Sequence, residues 1–195
     1  MSATLKDIIA LPNKHLRQRS QKVGIVTADI KQLAADMQAA TLDWEDHRNH
    51  EVGVALAAIQ LDKPLKVVVV RDDFEDKDNR GFDVLINPEV TKYEGVVEED
   101  YEGCLSIPDI YGKVPRHTKV RVKAIGLDGK PMRLTAEGFL ARVLQHEIDH
   151  TKGLVFIDHI KDKPEAFYRL KEDGKLEELN YEQDIKGNKD LWTNQ

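Results

Sequence analysis

The feature that most constrains this chain is the run HEIDH at residues 146–150. In a helix four residues advance about one turn, so His146 and His150 share a side and can offer two imidazoles to one metal ion. Glu147, beside the first imidazole, can reach water at that ion. Leu140, Val143, Leu144 and Ile148 form an apolar stripe on the same helix, which turns it towards a core. Two surface histidines flanking a solvated carboxylate are the simpler alternative, and the stripe argues against it.

A catalytic centre of the zinc type commonly has three protein ligands and one open position. Cys104, the single cysteine of the chain, is the natural third ligand. It lies in EGCLS, where Gly103 permits a tight turn that aims the sulfur inward. A lone cysteine is more often a buried apolar side chain, and it is the histidine pair that reverses this balance. A single cysteine also excludes an internal disulfide.

The remaining composition bounds the class of protein. The 195 residues fit one domain, and 41% hydrophobic with 33% charged residues and a net charge of -6 describe a soluble protein with an acidic surface. Residues 71–102 contain twelve acids and four bases, a field that repels nucleic acid. No stretch approaches the roughly 18 apolar residues of a membrane helix, and MSATLKDIIALPNKH lacks the pattern of a secretory signal. The expectation is one cytoplasmic domain over residues 1–195, with 166–195 a polar C-terminal extension, no direct nucleic-acid function, no membrane association and a monomeric state.

Periodicity gives the order of elements. After an irregular start, Thr27 caps a helix over 28–42 with Ile30, Leu33, Ala34 and Met37 on its buried face. The polar run DWEDHRNHE, 43–51, reads as a loop. GVALAAIQ, 53–60, is buried backbone or a strand leading into a site. Residues 67–70, four valines, form an internal strand, and 84–86 another that Asn87 and Pro88 end. Alternation at 120–124, a turn at Asp128 and Gly129 and a strand at 132–134 make a hairpin. Thr135 then caps the histidine helix over 136–151, with Gly153 as its stop. EAFYRLKEDGKLEEL suggests short helices, followed by a loose end. Strands on either side of a helix, without regular helical crossovers, predict an α+β fold.

Three separated pieces, GVALAAIQ at 53–60, EGCLS at 102–106 and QHEIDH at 145–150, together resemble the peptide deformylase family over roughly residues 5–165. The resemblance implies antiparallel β-sheets around a central helix bearing HExxH, with Cys104, His146 and His150 as metal ligands. It makes Glu147 the catalytic acid/base, and the Gln60 side chain and Leu105 backbone amide the groups that hold the oxyanion. Glu102 and Arg116 would pair to support the Cys104 loop. It implies one divalent metal ion, ferrous iron in cells, with Zn2+, Ni2+ or Co2+ able to occupy the same ligands. The implied substrates are N-formylmethionyl peptides, deformylated during maturation of nascent proteins, with transient ribosome contact allowed. Val54, Phe139 and Val143 are candidates for the methionine pocket, Arg142 for a stem along its wall, and backbone near Ala55 and Ile107 for peptide pairing.

The chain departs from the family pattern at Ala55, where glycine is usual, at Ile59, and at Tyr111 and His159, where arginine is common. His47 and His50 read as parts of a solvated loop, anchored by Trp44. Two other readings remain: a metallopeptidase, which the first two motif pieces oppose, and a deformylase-like metal-binding protein with weak or altered amide hydrolase activity, which Ala55 keeps open.

Overall fold

The four valines occupy β2 (Val67–Arg71), a strand buried along its whole length in a computed structural model that describes residues 2–48, 50–74, 76 and 78–192. β-Branched side chains pack well on a pleated surface, and here they face two different layers. Val67 and Val69 meet the first helix, α1 (Ala28–Asp46), whereas Val68 and Val70 meet the histidine helix, α2 (Gly138–His150). The start of the sheet is thus sandwiched between the two helices. β1 (Ala55–Ala57) follows the same alternation, Leu56 towards α1 and Ala55 and Ala57 towards α2.

The remaining strands are β3 (Phe82–Cys104), β4 (Ile107–Ile125), β5 (Pro131–Glu137), β6 (Phe167–Leu170) and β7 (Leu176–Glu178). The named strands of the described residues pair antiparallel, in the order β1-β2-β3-β4-β6-β7 with β5 also on β4. This is the expected α+β architecture of antiparallel strands about a central helix. No helix of the described residues is long and apolar enough to cross a membrane.

Several boundaries correct the sequence reading. α1 runs four residues past 42, to Asp46, because Trp44 belongs to its buried face and Asp43 and Asp46 point away from the core. Residues 43–46 of the expected loop are therefore helical; Asn49, in the same expected loop, lies outside the described residues. Asn87 and Pro88 do not end β3. Asn87 takes a left-handed φ of 53° at an irregularity in the ladder, its side chain bonding both Val23 N and O at 2.9 and 2.8 Å, and the strand continues to Cys104. Thr135 does not cap α2: Thr135 and Ala136 pair with Arg121 and Val120 as part of β5, and Glu137 occupies the cap position. Gly153, with φ +81°, does stop the helix; a Cβ there would meet Arg17 O.

The C-terminal segment is a further correction. Of the expected short helices only a 3-10 turn at Pro164–Ala166 forms, and 167–178 make the β6–β7 hairpin, turning at Asp173 and Gly174. Phe167, Ile185 and Leu191 are buried with Cys104, Ile107 and Phe156 in a third hydrophobic cluster. Chain beyond residue 166 thereby packs against the strand ends that carry Cys104.

Candidate active site

β3 and β4 form a long hairpin whose two-residue loop, Leu105 and Ser106, is folded inward; Ser106 is wholly buried. Cys104, the last residue of β3, is carried by this loop to the histidines of α2. Its Sγ lies 3.3 Å from His150 Nε2, which lies 3.2 Å from His146 Nε2, and among the described residues these three form the only group of His, Cys, Asp or Glu able to hold a metal ion. Tetrahedral coordination, with bonds of about 2.3 Å to sulfur and 2.0–2.1 Å to nitrogen, sets its donors about 3.3–3.6 Å apart. The donor set fits one divalent ion in chemistry, and these two separations lie close to that spacing.

The two imidazoles are held differently. His146 Nδ1 bonds Glu102 Oε2 at 3.0 Å, which leaves Nε2 to face the other donors, and Phe156 stacks on the ring at 6.3 Å. His150 is completely buried, its Nδ1 has no hydrogen-bond partner among the described residues, and burial keeps its pKa well below the usual value, so it is a neutral imidazole of the kind that ligates metals. Glu147 is also buried, and its Oε2 has no partner among the described residues. Desolvation pushes its carboxyl up to about 7.

Behind His146 lies a buried ionic cluster. Glu102 Oε1 accepts from Arg116 Nε and Arg142 Nη1, both at 2.9 Å; Arg116 Nη1 donates to Asp149 Oδ2 at 2.6 Å, and His159 Nε2 stands 2.8 Å from the same oxygen. Burial alone would raise the Glu102 carboxyl, but the His146 hydrogen bond and the Arg116 charge bring it down to about 2. The expected Glu102–Arg116 pair is present. The sequence reading missed Asp149, although it sits inside HEIDH one turn from His146, and His159 proves to be its partner.

Gln60 is 1% exposed. Its Oε1 accepts from Ala57 N at 2.9 Å, which turns Nε2 to Ser106 Oγ at 3.1 Å and to Cys104 Sγ at 3.7 Å. Ser106 was another residue not singled out from the sequence, though it lies within EGCLS. The Gln60 and Leu105 side of the centre and the α2 side meet in a cleft of about 280 Å³. The three pocket candidates Val54, Phe139 and Val143 line it, and so does Ala55; Ile107 is buried and does not line it. Tyr111 also lines the cleft. Its ring closes over Gly103, where a Cβ would stand 2.8 Å away, and its hydroxyl donates to Glu51 Oε1 at 2.7 Å. Trp44 reaches the cleft from α1 rather than from a loop, and His50 bonds the Glu172 carbonyl in the C-terminal hairpin at 3.1 Å.

A sequence profile of the polypeptide deformylase family matches residues 5–166. The chain belongs to the peptide deformylase family. A peptide deformylase of Mesorhizobium japonicum is 43% identical over 156 residues, covering 80% of this chain and 84% of that protein. The crystal structure of a peptide deformylase from Legionella pneumophila superposes with a TM-score of 0.69 at 38% identity, covering 82% and 86% of the two chains. A Met-Ala-Ser-bound class I type b peptide deformylase from Acinetobacter baumannii gives a TM-score of 0.71 at 30% identity, covering 82% of this chain and all of that one. The chain is a metal-dependent enzyme that hydrolyses the N-formyl group of peptides, and its Cys/His/His centre can bind a divalent metal ion.

Proposed function

We propose that the chain removes formate from N-formylmethionyl peptides by water attack, with Cys104, His146 and His150 holding the ion, Glu147 moving the proton, and Gln60 and Leu105 stabilising the oxyanion. The observation that carries this reading is the buried Glu147 carboxylate, with one oxygen unpartnered among the described residues, next in sequence to His146 of the three-donor centre. A divalent ion there supplies Lewis acidity that makes water nucleophilic near neutral pH.

The residues of the chain perform the remaining work. Glu147 takes a proton from water as its oxygen bonds to the formyl carbon. Negative charge gathers on the formyl oxygen, within the reach of the Gln60 amide and the Leu105 N–H. As the C–N bond breaks, Glu147 returns the proton to the departing amine, leaving formate and a free N-terminus. The apolar walls from Val54, Phe139 and Val143 suit a methionine side chain. Ala55 is buried in β1, where the peptide would pair. One thiolate with two imidazoles suits Fe2+ as well as Zn2+, Ni2+ and Co2+; ferrous iron is the ion proposed in cells. A cytoplasmic enzyme acting on new chains, in transient contact with the ribosome and as a monomer, completes the proposal.

Formate release from N-formyl-Met-Ala-Ser by anaerobically prepared ferrous protein tests it. Release should occur with the native chain and fall at least about 100-fold in Glu147→Gln, on the scale of losing a general acid/base. Equal rates in both proteins would remove Glu147 from its role. No release from folded, metal-loaded native protein would defeat the substrate assignment.

A further inference from the structure

Arg142 does not present its charged head to solvent. Its side chain borders the cleft, yet it is only 7% exposed and its guanidinium turns into the β3–β4 hairpin. Nη1 donates to Glu102 Oε1 at 2.9 Å, to Val114 O at 2.7 Å and to Asp100 O at 3.3 Å, and Nη2 donates to Glu98 O at 2.8 Å. One planar group on α2 therefore binds carbonyls of both hairpin strands together with the carboxylate that holds His146.

We propose that Arg142 is a positioning residue for the metal centre, fixing Glu102 so that Glu102 fixes the His146 ring. Arg116 and Arg142 reach the same oxygen of Glu102, Oε1, from different elements, β4 and α2, and this leaves Oε2 directed at His146 Nδ1 and Arg116 Nη2. Without Arg142, Oε1 keeps only Arg116 Nε, and three hairpin carbonyls lose a buried donor. The carboxylate then gains a second orientation, and His146 loses the partner that selects its tautomer. The spacing also has a local logic: Arg142 and His146 are one helical turn apart, so both meet the same strand segment. A lysine carries the charge but not the planar fork that serves several acceptors at once.

The inference rests on Cys104, His146 and His150 being the ligands. The test uses native protein, Arg142→Met and Arg142→Lys, each loaded with Co2+ and followed by its visible spectrum and by cobalt release to a chelator. Arg142→Met should release cobalt about tenfold faster or more, with altered ligand-field and thiolate charge-transfer bands, and its kcat should fall more than its KM rises. Arg142→Lys should lie between native and Met, and it decides the matter if the Met variant does not fold. A lower melting temperature with native spectrum and native cobalt release would make Arg142 only a brace for the hairpin and overturn the proposal. Failure of the native protein to bind one cobalt per chain would instead overturn the ligand assignment beneath it.

Discussion

Glu102 Oε2 lies 3.0 Å from His146 Nδ1, joining the end of β3 to α2 across 44 residues of sequence. The same carboxylate is buried and accepts from two arginines. Replacing Glu102 with Gln leaves an acceptor for some of these donors but removes the charge they share. Breaking a buried ion pair from one side costs about 3–5 kcal/mol, and weakening the partner of a metal-bound imidazole costs about 10–100-fold in metal affinity. Both losses are expected, read by chemical denaturation and by chelator competition.

Metal removal should lower stability. The donor atoms of Cys104, His146 and His150 are crowded within 4.8 Å of one another, an arrangement that an ion holds together and the unfolded chain lacks. At a free ion concentration about 100 times Kd, binding adds about 2.7 kcal/mol. At about 2–4 °C per kcal/mol for a chain of this size, a chelator should lower the melting temperature by several degrees. Cys104→Ser should shrink that difference.

The Tyr111 hydroxyl gives a pH signature. Burial, then its hydrogen bond to Glu51 and the charge of that carboxylate, raise its pKa well above the usual 10.0. The folded protein holds this proton after the unfolded chain has lost it, so the stabilising contribution is complete below pH 10 and disappears as pH rises towards the folded value. Tyr111→Phe keeps the ring over Gly103 and removes the effect. The native protein should be the more stable of the two near pH 8, with the gap narrowing above pH 10 in denaturation curves taken at each pH.

Residues beyond 166 are expected to act as part of the core rather than as a dispensable tail. Phe167 is wholly buried, and β6 pairs with the segment of β4 that contains Tyr111. Phe167→Ala should cost about 3–5 kcal/mol by urea denaturation. Glu178→Ala, at an exposed site in β7, should change stability by less than about 0.5 kcal/mol.

The sequence by itself determined the parts whose meaning is local. Spacing of four placed His146 and His150 on one helix side, four valines made β2, and an apolar stripe made α2 a core helix. Three ordered motif pieces carry the resemblance to the deformylase family, and that resemblance implies a shared centre for Cys104, Gln60 and Glu147. Only the tertiary structure decided what each face meets. Thr135 is a sound helix cap by its own chemistry, but pairing with Arg121 draws it into β5 beside Ala136, which is buried against the core. The polar letters of 43–46 suggested a loop until the packing of Trp44 extended α1. Arg142 reads as a solvent-seeking stem on its own helix, and turns inward because Glu102 and three carbonyls of the β3–β4 hairpin converge there. Periodicity states which residues share a side, while the acceptors that a buried charge finds are supplied by chain far away in sequence.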